Sequence, residues 1–98
     1  MNMQAMLKQA QALQKDMLKA KDEIDKTEFI GESSLVKVTM KGTKECVKVE
    51  ITADDSLDKD DLEVLEDMIV VAINDANKKI DKMTEEKMGK FGNIPGLF

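Results

Sequence analysis

From Asn2 to Lys26 the chain contains neither Gly nor Pro, and good helix formers (Met, Gln, Ala, Leu and Lys) make up most of it. This stretch predicts one long helix over residues 1–26. Met3, Met6, Ala10, Leu13, Met17, Ala20 and Ile24 are spaced alternately three and four apart, the a/d seam of a heptad repeat. At 1.5 Å per residue the helix runs roughly 36 Å, about the width of a compact globule of about 100 residues. The whole chain has 98 residues, enough for one domain, so little remains to cover such a stripe. Packing on the chain's own sheet accounts for part of the seam and a second copy for the rest. The seam is therefore the expected interface of a homodimer.

The middle of the chain changes period. Val36, Val38 and Met40 alternate with Lys37, Thr39 and Lys41; beyond Gly42 and Thr43, Val47, Val49 and Ile51 alternate with Cys46, Lys48 and Glu50. This predicts a hairpin with one apolar face. Thr27 to Glu32 is a candidate third strand, with Gly31, Ser33 and Ser34 breaking the chain before Leu35. A second helix begins near Lys59, capped by Asp58, with Asp60, Asp61 and Glu63 where the helix dipole favours anions. Leu62, Leu65, Ile69, Ala72, Ile73, Ala76, Ile80 and Met83 recur at three and four, and the IVVA run at 69–72 is apolar almost all round, so this helix is the buried one. Thr84, followed by Glu85 and Glu86, could cap a further turn and bend it before Gly89, Gly92 and Pro95. The expected class is α+β in a single domain over residues 1–98: helix at 1–26, antiparallel sheet of about three strands at 27–52, buried helix at 58–88, tail at 89–98.

Composition excludes much chemistry. There is no His and a single cysteine, Cys46, so no imidazole base, CxxC site or intramolecular disulfide is possible. On its strand, Cys46 reads as a packing thiol rather than a nucleophile. Asp54, Asp55, Asp58, Asp60 and Asp61 offer oxygens, but an EF-hand loop starting at Asp54 meets Lys59 where Gly is needed and Leu65 where Glu is needed. Phosphate-loop and dinucleotide fingerprints are absent. The chain is expected to be no enzyme and to need no metal or cofactor and no small-molecule substrate. The N-terminal segment has neither a long apolar run nor a cleavage site, so export and membrane partners are not expected and a cytoplasmic location is.

The net charge of -5 argues at first against a polyanion partner. Counted by segment it says something else. Residues 52–67 set Lys59 against eight acidic residues for a net -7, and everything else sums to +2. Along the first helix, at about 100° per residue, Lys15, Lys19 and Lys26 fall within roughly 20° of Lys8, opposite the apolar seam, although Asp22 interrupts the row and Lys21 lies off it. Lys8 and Lys26 lie about 27 Å apart, a length that could follow several duplex phosphates. The solvated face of an amphipathic helix explains the same row more cheaply, and in the second helix Lys78, Lys79 and Lys82 interleave with Asp75 and Asp81 as ordinary charge pairs do.

Four segments carry a resemblance over nearly the whole chain: MLKQAQALQKDM at 6–17, LVKVTMKG at 35–42, LEDMIVVAINDANKK at 65–79 and EKMGKFGNIPGLF at 86–98. They resemble the YbaB/EbfC family of bacterial nucleoid-associated proteins; the last is the most specific, since helical periodicity does not demand MGK followed by IPGLF. The resemblance implies a cytoplasmic, nucleoid-located homodimer of tweezer-like shape whose helices grip double-stranded DNA. It raises Lys8, Lys15, Lys19 and Lys26 to candidate phosphate contacts, and Lys78, Lys79, Lys82, Lys87 and Lys90 with them. The Gly-rich stretch before IPGLF is short here, and all fifteen basic residues are Lys. Without Arg, bidentate guanine readout and minor-groove insertion lose their best donor, so little sequence specificity is expected. The alternative is a dimeric protein-interaction module whose DNA binding is incidental or absent. Whether the first helix seals the dimer or projects as an arm is open at this level, as are the preferred DNA, the genes affected and polymerisation along DNA.

Overall fold

A computed structural model describes residues 2–52 and 58–89. Their order is helix α1 (Met3–Lys26), strands β1 (Glu28–Ser33), β2 (Val36–Lys41) and β3 (Cys46–Ile51), a 3-10 turn (Lys59–Asp61) and helix α2 (Leu62–Met88). The α+β architecture expected from the periodicities is the one observed. The tail from Lys90 onward and residues 53–57, which include Asp54 and Asp55, lie outside the described residues.

Local signals account for the boundaries. The Asn2 side chain accepts the Gln4 N–H at 2.9 Å and starts α1. At its other end the Thr27 hydroxyl donates to the Glu23 carbonyl at 2.6 Å. Asp58 and Asp61 form a reciprocal capping box around the 3-10 turn that leads into α2. α2 then runs unbroken to Met88. The Thr84 hydroxyl donates to the Ile80 carbonyl at 2.8 Å, one turn back within the same helix, so it caps no new turn there.

The sheet is antiparallel, in the order β1-β2-β3. Ser33 pairs with Val36 across a tight turn in which Ser34 takes a φ of 50°. Gly31 is not a break but a strand residue paired with Val38. A Cβ there would strike the Ala72 carbonyl oxygen and lie 2.6 Å from the Ala76 nitrogen, so Gly31 lets α2 lie directly on β1. Asp75 accepts the Glu32 N–H at 3.1 Å and Lys79 donates to the Ile30 carbonyl at 2.6 Å, pinning one flank of α2 to this strand. The core is Val36, Val38 and Met40 from β2 with Ala72, Ala76 and Ile80 from α2, flanked by Phe29, Leu65, Met68, Ile69 and Ile73.

β3 departs from expectation. The register puts Ile51 beside Val36 and Val49 beside Val38, on the same face of the sheet. Yet Val36 and Val38 are 1% and 0% exposed, whereas Val47, Val49 and Ile51 are 48%, 43% and 44% exposed. α2 lies over β1 and β2 and leaves the edge strand uncovered. Val70 and Val71, in the run that is apolar all round, are likewise exposed. Cys46 is exposed rather than packed.

α1 is tied down only over its second half. Ile24 and Met88 form a small buried cluster with Leu13, Met17, Ala20 and Met83. Gly42 makes this possible, because a Cβ there would collide with the Ile24 carbonyl. The Gly42 N–H also donates to the Thr27 carbonyl at 3.1 Å. Residues 2–12 are exposed throughout. The molecule is accordingly long and thin, 71 × 19 × 15 Å, with a radius of gyration of 19.7 Å. A compact chain of this length would have about 13 Å.

Candidate nucleic-acid interface

The face of α1 opposite its packed seam carries the lysine row. The seam residues Leu13, Met17, Ala20 and Ile24 turn toward α2, so Lys8, Lys15 and Lys19, on the far side, point away from the body and are exposed. Among the described residues none of these three is held in a salt bridge. Lys26, the fourth member, is paired with Asp22 at 2.8 Å, and the hydrogen bond and charge of that carboxylate raise its pKa.

The α2 lysines divide. Lys79 sits 3.4 Å from Asp75 while donating to the Ile30 carbonyl, so it is a structural tie to β1. Lys87 donates to Glu23 at 2.9 Å and bridges the foot of α1 to the end of α2. That hydrogen bond first, and the ammonium charge second, hold the Glu23 carboxyl below its ordinary range. Asp75 is lowered chiefly by the Glu32 N–H, with Lys79 adding to it. Lys78 and Lys82 are exposed and form no salt bridge among the described residues; Lys90 lies outside them.

The lysines of the sheet belong to a different arrangement. On the sheet face away from α2 the register sets Lys41 opposite Glu28, and Lys37 between Glu32 and Glu50. Lys48 pairs with Glu50 at 2.8 Å. Acids and bases alternate there in a locally neutral, solvated surface. The candidate lysines that are exposed and form no salt bridge among the described residues are thus Lys8, Lys15 and Lys19 on α1 and Lys78 and Lys82 on α2.

Of the apolar groups that remain uncovered, Met3 and Met6 belong to the seam expected from the sequence, whereas Leu7 and Leu18 were not singled out there. Met3, Met6 and Leu7 form an exposed patch at the tip of α1, and Leu18 is exposed further along it. Val47, Val49 and Ile51 of β3 are also exposed, as is Val70 on the flank of α2 away from β1. At about 100° per residue that flank carries Val70, Ile73 and Asn77, opposite the Asp75 and Lys79 ties. The Asn77 Oδ1 is buried there without a hydrogen-bond partner among the described residues. Surplus apolar positions in the IVVA run were the available signal, since one face of a helix needs only about half of them. Among the described residues no group of acids and Cys could hold a metal ion, and no helix is long and apolar enough to cross a membrane.

Residues 1–94 match the model of the YbaB/EbfC DNA-binding family. A nucleoid-associated protein of Ligilactobacillus salivarius is 46% identical over 99 residues, covering 99% of this chain and 95% of its own. One of Lactococcus lactis subsp. lactis is 46% identical over 93% of each chain. A third, from Streptococcus suis, is 45% identical over 97% of this chain and 98% of its own. A match running from the lysine-bearing arm through the sheet and α2, at this identity and nearly full length in both partners, makes the chain a member of the YbaB/EbfC DNA-binding family.

Proposed function

We propose that the protein is a nucleoid-associated, non-enzymatic protein that binds duplex DNA as a homodimer. Lysines of two projecting arms contact phosphates, and gripping the duplex between them alters its conformation and thereby nucleoid organisation and gene expression. The observation that carries this reading is the exposed row Lys8, Lys15 and Lys19, without a salt bridge among the described residues, on the face of α1 turned away from the body. Those three span about 16 Å, several phosphates of one strand. With no Arg and no Trp or Tyr in the chain, contacts that position without reading bases dominate. Lys26, Lys79 and Lys87 contribute less, since each would first leave an acid, while Lys78 and Lys82 extend the basic surface beyond the arm.

The dimer contact is placed on the patch of Val47, Val49, Ile51, Val70 and Ile73. Half of the α1 seam, from Leu13 to Ile24, is already occupied within the chain, which leaves Met3, Met6 and Ala10 on the free arm. An exposed apolar edge strand invites a partner, and a two-fold contact lets the same patch cover itself. The orphaned Asn77 oxygen beside it would gain a donor from the partner.

Reversing Lys8, Lys15 and Lys19 to Glu should abolish duplex binding at physiological salt while the variant stays folded and dimeric by sedimentation. The same reversal at Lys37, Lys41 and Lys48 should change binding far less. Equal loss in both sets would contradict the arm assignment. No loss in either would favour the protein-interaction module. Val49→Asp should yield a folded monomer; an unchanged dimer would move the contact elsewhere.

A further inference from the structure

The start of α1 and the start of α2 lie toward opposite ends of the molecule. α1 packs on the last turns of α2, where Leu13, Met17, Ala20 and Ile24 gather around Met83 and Met88. From that junction α2 runs back about 40 Å. Residues 2–12 are exposed, and the molecule is 71 Å long, well beyond the length of either helix, so the first half of α1 extends past the end of α2. The two ends differ in charge. From Asn2 to Lys15 α1 holds Lys8 and Lys15 and no acid, beside the exposed apolar tip of Met3, Met6 and Leu7. At the start of α2, Asp60, Glu63, Glu66 and Asp67 are exposed and form no salt bridge among the described residues. Val64 and Val71 stand with them, one heptad apart, about 20° from each other around the helix, and both about half exposed. This outer face of α2 is separate from the flank of Val70 and Asn77 placed in the dimer contact.

We propose that the tip of α1 in one copy docks on the outer face of α2, around Val64 and Val71, in another copy and so links molecules head to tail. Each surface offers what the other lacks. The apolar side chains leave water against each other, and the basic first half of α1 meets the exposed acids that surround the two valines. Pairing either surface with itself would instead set like charges together, lysines at the tip and carboxylates on α2. DNA does not suit the second surface, because its phosphates would face those acids. Since the two patches differ and lie at opposite ends, the contact is heterologous and passes from copy to copy rather than closing on itself. Few side chains take part on each side, so the interface is small and the association weak and reversible. The proposal does not rest on the DNA reading, because it needs no duplex; on a duplex it would join neighbouring copies.

Sedimentation velocity of the full chain without DNA tests it. The average mass should rise with protein concentration past the dimer, and the association should weaken by about tenfold or more between about 50 and 300 mM salt. Two variants separate the surfaces, and both replace exposed residues, so the fold is kept. Met3→Asp with Leu7→Asp spoils the tip, and Val64→Lys with Val71→Lys reverses the outer face of α2. Each alone should stop at the dimer. Mixing the two in equal amounts should restore larger species, since each supplies the surface that the other has lost. Val49→Asp, aimed at the dimer contact, should leave the head-to-tail association in place, so the two contacts fail separately. Loss in the tip variant alone would overturn the proposal in favour of tip-to-tip contact, and loss in the α2 variant alone in favour of another basic surface as the occupant. No species beyond the dimer, an association indifferent to salt, or no recovery on mixing would overturn it outright.

Discussion

The two helices are close in length, 24 residues for α1 and 27 for α2, and both carry apolar residues at three-and-four spacing, but they use it differently. α2 lies along the sheet from Leu65 to Ile80 and closes the main core. α1 touches the body only from Leu13 onward, and its first ten residues stand in solvent. Their lysines divide in the same way. Lys79 and Lys87 of α2 are engaged in ties to β1 and α1, whereas Lys8, Lys15 and Lys19 of α1 form no salt bridge among the described residues. A lysine on a packed flank is taken up by neighbouring acids and carbonyls, whereas one on the face turned away from the body can meet a partner.

The contrast can be broken most forcefully by truncating the core. Ile80→Ala should cost about 2–5 kcal/mol in urea unfolding at fixed protein concentration, while Met6→Ala on the free arm should stay within about 0.5 kcal/mol. Comparable costs would mean that the arm is packed after all. Next in size is Gly42→Ala, whose Cβ would meet the Ile24 carbonyl. It should cost about 1–3 kcal/mol. Amide exchange should rise around the foot of α1 and not in β1 or α2.

The smallest effect belongs to the clasp between the helices. Glu23 and Asp75 both titrate below their ordinary range, held down by Lys87 and by the Glu32 N–H respectively. A carboxyl lowered in the folded state contributes stability above its unfolded pKa and loses it as pH falls through the lowered value. The Tm difference between the protein and Glu23→Gln should therefore be present at neutral pH and close on acidification. Both partners are partly solvated, so salt should shrink it too. A difference that widened toward acid would reverse the sign of the account.

Much of this was legible in the sequence, and the limits have physical reasons. The absence of Gly and Pro fixed α1, Asp58 marked the entry to α2, and alternation located β2 and β3. Periodicity assigns residues to faces, however, and does not say which strand a single helix covers. β2 and β3 read alike, yet only β2 is buried. Gly31 read as a break because its use, admitting Ala72 and Ala76, depends on a helix some forty residues away. The lysine row was visible as a stripe. Which lysines are engaged was not, since Lys87 finds Glu23 across a separation of 64 residues and Lys79 finds Ile30 across 49. Thr84 resembled a cap because capping and back-bonding use the same hydroxyl.

The central claim, that an exposed lysine row on α1 carries DNA binding, is tested most directly by titrating salt. The account predicts that log affinity for random duplex falls linearly and steeply with log salt. It also predicts that Lys8→Gln, Lys15→Gln and Lys19→Gln together reduce the slope by about 3 for each arm engaged. A flat dependence, an unchanged slope in the variant, or one sequence bound about a thousandfold more tightly than random duplex would contradict it.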